Sequence, residues 1–305
     1  MALLRQVGAA MLTLWAAVTL AFFALRLLPG DAIQAQLLRS GASAAVIEQR
    51  RAALGLTDPL ATQYLHYLAG VLRGDLGVSL IDGQPVAAIL ARQLGPTLAL
   101  AGSALLIAIG IGVILGVTAA QERGGSAVVA RLLVDLALST PLYWTGILAI
   151  FVFALWLDLL PASGAGRLDQ LVLPAAVLGF HTAGSIARVT QANVRAVMVA
   201  RFVTTARAKG LTRAVILRRH ILRVSLPPVL AVIALQAGFL LSGTVITESL
   251  FVRPGIGQVL LTAVLRQDYP VVQGVAVWSA LAYTLVSLLA DAGQRLLDPR
   301  VRAFR

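Results

Sequence analysis

The sequence predicts an all-α membrane protein with six membrane-spanning helices, and three observations carry that reading. Of 305 residues, 59% are hydrophobic and 12% charged, with a mean hydropathy of +0.87, against about 45 to 50% apolar and about 25% charged in a soluble domain. So few charges could not keep a body of this size in water. The apolar residues fall into six runs of about 20, the length a helix rising 1.5 Å per residue needs to cross about 30 Å of hydrocarbon. The remaining charges are distributed unevenly between alternate loops, as the positive-inside rule requires.

The first run, Val7 to Leu28, follows Arg5 and is longer than the apolar core of a secretory signal, so it reads as a retained helix. Arg26 near its far end is placed to snorkel to the interface. Residues 29–93 hold five arginines and five acids. This stretch is too long for a turn and reads as a small helical cap, with Ser43 and Asp58 as capping residues and Leu60, Tyr64, Leu65 and Leu68 at helical spacing. The second to sixth runs are Thr97 to Ala120, Leu132 to Leu157, Leu171 to Val189, Pro228 to Thr247 and Val271 to Ala290. Between the last two, Pro254-Gly255-Ile256-Gly257 marks a turn ahead of a short helix.

Charge sets the orientation. Residues 188–223 carry eight arginines and Lys209 with no acid, and the tail carries Arg295, Arg300, Arg302 and Arg305 against Asp298. Both termini are therefore expected in the cytoplasm. The net charge of +12, which in a soluble chain would suggest nucleic acid, is accounted for by this bias.

Several chemistries are excluded. The only lysine, Lys209, is followed by Gly210 and Leu211, so no GxxxxGK[ST] phosphate loop exists and a pump that burns ATP itself is excluded. No cysteine is present, and His66, His181 and His220 are too dispersed for a HExxH pair, so no metal site is expected. The Gly110-x-Gly112-x-x-x-Gly116 run has the wrong spacing for a dinucleotide fingerprint and fits close helix packing. Asp135 lies four residues after Arg131, the spacing of a helical ion pair, and His181 with Thr182 and Ser185 suits interhelical hydrogen bonding. No internal repeat is visible, which weakens inverted-repeat transporter folds.

The basic segment from Arg201 to Pro228 is too patterned to be only a topological signal. Phe202, Ala206, Lys209 and Gly210 suggest a short amphipathic helix with a glycine cap, able to dock in a groove of another protein, while composition alone favours a solvated positive-inside loop. Thr205-Ala-Arg-Ala-Lys-Gly210, followed by His220-Ile-Leu-Arg223 and Leu226-Pro227, resembles the signature loop of inner-membrane permeases of ABC importers in the dipeptide, oligopeptide and nickel branch. Further matches run along the chain: Leu28-Pro-Gly-Asp31, Leu54-Gly-Leu with Asp58-Pro59, Gly74-Asp-Leu-Gly77, Thr247-Glu248, Pro254-Gly-Ile-Gly257, Asp268-Tyr-Pro-Val-Val-Gln273 and Asp298-Pro-Arg300. The wider importer pattern of Glu-Ala-Ala, Gly, then Ile-x-Leu-Pro is met here by Thr204, Thr205, Ala206, Gly210, His220, Leu222 and Arg223, so its Glu and Pro are absent.

The resemblance implies a type I ABC importer permease, the first of a pair, with an N-terminal helix in residues 1–28, a periplasmic cap in 29–93 and a five-helix core in 94–305. A coupling loop in 190–223 would bear on the ATPase through Phe202, Thr204, Thr205, Ala206, Arg207, Lys209, Gly210 and Leu211. The implied partners are a second, related permease, two ATP-binding subunits that hold ATP and magnesium, an extracytoplasmic solute-binding protein and the lipid bilayer. No nucleic acid and no cofactor of its own are implied. Gln236, Ser242, Thr244 and Glu248 of the fifth helix are candidates for the substrate path. The implied substrates are peptides, glutathione or nickel complexes, and a stand-alone secondary transporter or channel is the alternative.

Overall fold

The helices of the chain, in a computed structural model, run in order as α1 Ala2–Arg26, α2 Ala44–Ala53, α3 Leu60–Leu72, α4 Val86–Ala119, α5 Gly125–Ser139 and α6 Leu142–Trp156. After these come α7 Asp169–Met198, α8 Arg201–Ala208, α9 Arg213–Ser242, α10 Val245–Leu250, α11 Ile256–Leu265 and α12 Tyr269–Leu297. The structure describes residues 2–26, 43–53, 55, 57–121, 124–242 and 244–297. Among them the only extended pairing is a single antiparallel bridge, Val78 with Pro85.

Five helices, α1, α4, α7, α9 and α12, are long and apolar enough to cross a bilayer, and the bent pair α5 and α6 makes a sixth span. The third span therefore departs from the single helix expected at Leu132 to Leu157: its halves meet at 109°. Proline explains the break. Pro141 disfavours helical backbone at the residue before it and has no N–H to donate, and Thr140 is extended at φ −87, ψ 139. Other spans differ from expectation at their ends. Helix α4 begins eleven residues earlier than Thr97 and α7 runs past Val189 to Met198. The fifth span, expected at Pro228 to Thr247, begins at Arg213, includes a π-helical turn at Ile216–Ile221, and stops at Ser242. Most of the predicted loop 190–223 is thus helical, because turns containing Ala, Arg, Gln, Met and Leu, all good helix formers, carry the helices beyond the apolar windows.

Two compact units are distinguished, Met1–Gly95 with Pro254–Thr284, and Pro96–Arg253 with Leu285–Arg305. In the first, the cap helix α3 is fastened to α1. The Thr19 and Tyr64 hydroxyls lie 2.8 Å apart, and the Arg26 guanidinium donates to Gln63 Oε1 at 3.0 and 3.1 Å while covering the Phe22 ring at 3.7 Å. Arg26 is thereby held by the cap. Asp58 does not cap α3; Pro59 occupies the cap position without a side-chain hydrogen bond, and the Asp58 carbonyl accepts from Gln63 Nε2 at 2.8 Å. The unit's apolar core joins Val86 and Leu90 of α4 to Ile256, Ala263, Val271 and Val275. Asp268, 4% exposed, ties down the turn at residues 77–85 by accepting from Ser79 Oγ at 2.5 Å and Leu80 N at 3.1 Å. Two sequence matches some 190 residues apart, Gly74 to Gly77 and Asp268 to Gln273, are neighbours here, with Pro270 beside Gly77. The matches at residues 28–31 and 298–300, with Leu54 and Leu56, lie outside the described residues.

In the second unit α4 lies against α7 through glycine. A Cβ on Gly112 would meet Ile186 Cβ at 2.9 Å, one on Gly116 would meet Ala187 O at 2.6 Å, and one on Gly179 would meet Ala104 O at 2.9 Å. The glycine run therefore serves close packing at Gly112 and Gly116, whereas Gly110 faces open space. Asp135 pairs with Arg188 of α7 at 2.7 Å rather than with Arg131, so the tie is between helices and not within one turn.

Candidate functional site

Helix α8 is fixed from below by its own sequence. Val203 and Ala206, three apart and both buried, pack with Ala120, Val194, Ile216 and Ile221, so the ends of three longer helices hold one face of α8. The opposite face is free: Arg201, Phe202, Thr204, Thr205 and Arg207 are exposed, as are Lys209, Gly210 and Leu211 beyond the helix end. Phe202 is 41% exposed and Leu211 39%. Ala206, grouped with Phe202 in the sequence pattern, turns inward and anchors the helix. Of the predicted contact residues the structure brings the other seven to one exposed segment.

The segment ends in a Schellman motif. Leu211 N donates to Ala206 O at 3.3 Å, Gly210 N donates to Arg207 O at 2.9 Å, and Gly210 adopts φ +78. That φ is in the left-handed region, where any side chain at Gly210 would be strained even though no neighbour lies within 4 Å. The turn fixes the direction in which Leu211 leaves the helix.

The substrate-path candidates lie where α9 gives way to α10. Gln236 and Thr244, with Thr182 and Thr247, line a cavity of about 340 Å³ whose remaining wall is apolar, Leu178 and Phe239 included. Ser242 donates to Phe239 O at 3.1 Å and does not line it. Glu248, the fourth candidate, is 1% exposed: its Oε1 accepts from Thr97 Oγ1 at 2.8 Å and Thr244 Oγ1 at 2.6 Å. A carboxylate held by two hydroxyls is a structural tie of α4 to α10.

Sequence reasoning overlooked Arg253. It is 5% exposed and its guanidinium donates to Gly164 O at 3.0 Å and Gln170 O at 2.8 Å, pinning the loop after α6. Burial lowers its pKa from the ordinary arginine value while the Glu248 carboxylate pulls it back up. Its neighbours Pro254 and Gly255 were the visible signal, and an arginine beside a turn gives no hint of the carbonyls it will find. His181 behaves as the packing reading expects, with Nε2 at 2.5 Å from Thr145 Oγ1 of α6. Among the described residues no three metal-ligating side chains cluster.

Two family descriptions together match almost the whole chain. Residues 108–303 match the inner membrane component of binding-protein-dependent transport systems, and residues 1–101 match the N-terminal part of such membrane components. This chain belongs to that family.

The permease is 34% identical over 334 residues to the dipeptide transport system permease protein of Escherichia coli, covering 98% of each chain. It is 35% identical over 291 residues, 95% of each chain, to the glutathione transport system permease protein of Pectobacterium atrosepticum. A probable peptide ABC transporter permease protein of Sinorhizobium fredii is 34% identical over 297 residues, 92% of each chain. Among solved structures, a permease chain of the MetNI methionine ABC transporter, in an inward-facing form, aligns with a TM-score of 0.55 and 19% identity. That match covers 69% of this chain and 96% of that one, and it shows a shared type I importer fold. The permease is accordingly a non-catalytic inner-membrane subunit of a binding-protein-dependent importer, and ATP hydrolysis belongs to separate subunits.

Proposed function

We propose that this permease carries peptides, that it forms the translocation path with a second, related permease, and that α8 receives the movement of a cytoplasmic ATPase subunit. Full-length similarity to dipeptide, glutathione and peptide permeases supports the substrate class. The observation that carries the coupling reading is the division of α8 into an anchored face, Val203 and Ala206, and an exposed face bearing Phe202. A rigidly held helix with a free aromatic transmits a push, whereas a loose loop would absorb it. In this reading residues 1–28 form the N-terminal helix, 29–93 the cap and 94–305 the core, with 190–223 at the cytoplasmic side and both termini there. Two ATP-binding subunits carry ATP and magnesium, and a solute-binding protein delivers the peptide from outside. ATP then closes the ATPase pair, both coupling helices move, and the paired permeases switch between two packings.

Co-purification of the ATPase tests this. Phe202→Ala is expected to weaken association by about 2 kcal/mol, on the order of 30-fold. Gly210→Val is expected to separate ATP hydrolysis from uptake by re-aiming Leu211. Wild-type behaviour of both variants would reduce the segment to a topological signal. Uptake that persists without any ATPase subunit would favour a stand-alone transporter.

A further inference from the structure

We propose that the cavity lined by Thr182, Gln236, Thr244 and Thr247 is a subsite for the amide group of a peptide in transit. The proposal rests on the importer reading above and adds the chemistry of recognition.

The cavity's size, about 340 Å³, is that of a small-ligand site. Four of its lining residues are polar, six are apolar and none is charged. A metal ion or an ionised chain end would find no opposite charge in this lining, and losing its water there would be costly. A neutral polar group is the occupant that such a wall suits.

The hydrogen-bonding groups narrow the choice. Thr182 spends its hydroxyl hydrogen on Leu178 O at 2.9 Å and Thr244 spends its own on Glu248 Oε1, so both oxygens keep lone pairs. The Thr247 hydroxyl is buried with no partner among the described residues. Gln236 is half-buried, and its carboxamide likewise makes no hydrogen bond among them. A carboxamide offers both an acceptor C=O and a donor N–H, and because the N–H and C=O of a trans peptide group point to opposite sides, Gln236 meets one of them, its Oε1 being able to accept from the peptide N–H. A lipid chain in the same space would leave these groups unpaired, at a free-energy cost.

The test uses the complete transporter in liposomes with its binding protein. Uptake of tetra-alanine, whose charged ends lie away from its central amide, is compared with that of its depsipeptide analogue, in which an ester oxygen replaces the central amide N–H. The binding protein is the same throughout, so a change in the amide-to-ester ratio belongs to this chain. Gln236→Leu is expected to lower the ratio about fivefold, the worth of one hydrogen bond. Gln236→Asn, which keeps the carboxamide, is expected to retain more of it. Should Gln236→Leu fail to assemble, Thr247→Val against Thr247→Ser reads the same quantity. A ratio unchanged in the variants that assemble overturns the subsite and leaves the importer reading standing. A wild-type transporter that takes up neither dipeptide, glutathione nor tetrapeptide overturns the peptide reading itself. A photoreactive dipeptide that labels only the second permease, or a bound phospholipid that Gln236→Leu releases, would name another occupant and also overturn the proposal.

Discussion

Glu248 is a carboxylate 1% exposed that takes hydrogen bonds from Thr97 and Thr244. Shut off from water, such a group survives only with its partners, because an unpaired acceptor has no solvent to turn to. Thr97→Val keeps the shape and removes one donor. The expected effect is a loss of about 2 kcal/mol, the scale of a hydrogen bond to a charged group, measured as lower thermal stability of the purified permease. An unchanged melting temperature would mean that the carboxylate is satisfied without Thr97. Single residues were legible by type and not by partner. The acid after the fifth span could be read from the chain, but Thr97 lies 151 positions away and looked like the first residue of an apolar run. For the same reason Asp135 looked paired within its helix, since periodicity describes one helix face and carries no information about the next helix.

At the scale of the element, apolar length located every span, whereas the shape of the third span required its Thr140-Pro141 step to be weighed. An apolar window averages over a proline, while the backbone responds to its missing N–H. Helix α8 was legible because its determinants are local: a Gly at the left-handed cap and apolar residues one turn apart. Which face it buries was not, since Val203 and Phe202 are adjacent and similarly apolar. The glycine run separates in the same way. Gly110 faces open space, but a Cβ at Gly116 would press on Ala187 O, a backbone atom that cannot rotate aside. Gly116→Ala is therefore expected to cost about 1 to 3 kcal/mol by overpacking. Gly110→Ala is expected to be neutral or slightly stabilising through helix propensity. Paired melting curves of the two variants check this, and equal effects would show that α4 and α7 do not pack this closely.

For the molecule as a whole the question is which way it faces, and charge is the argument. Residues 188–223 carry nine positive charges and no acid, while residues 29–93 are balanced at five of each. Holding such a segment on the cytoplasmic side costs nothing, whereas passing it across the membrane opposes the membrane potential and the attraction of anionic lipid. Because the native chain has no cysteine, a single introduced thiol reports on one position. Arg213 is exposed at the start of α9, and Gln84 is exposed in the turn ahead of α4. Gln84 is a better site than its neighbour Gly83, whose φ of +65 would strain any side chain. An impermeant thiol reagent is expected to label Gln84→Cys in intact spheroplasts and Arg213→Cys only after the membrane is opened. The reverse pattern would invert the protein and move α8 away from any cytoplasmic ATPase. Labelling of both positions from one side would instead break the count of spans, since α4, the bent α5 and α6, and α7 together cross the bilayer three times between them.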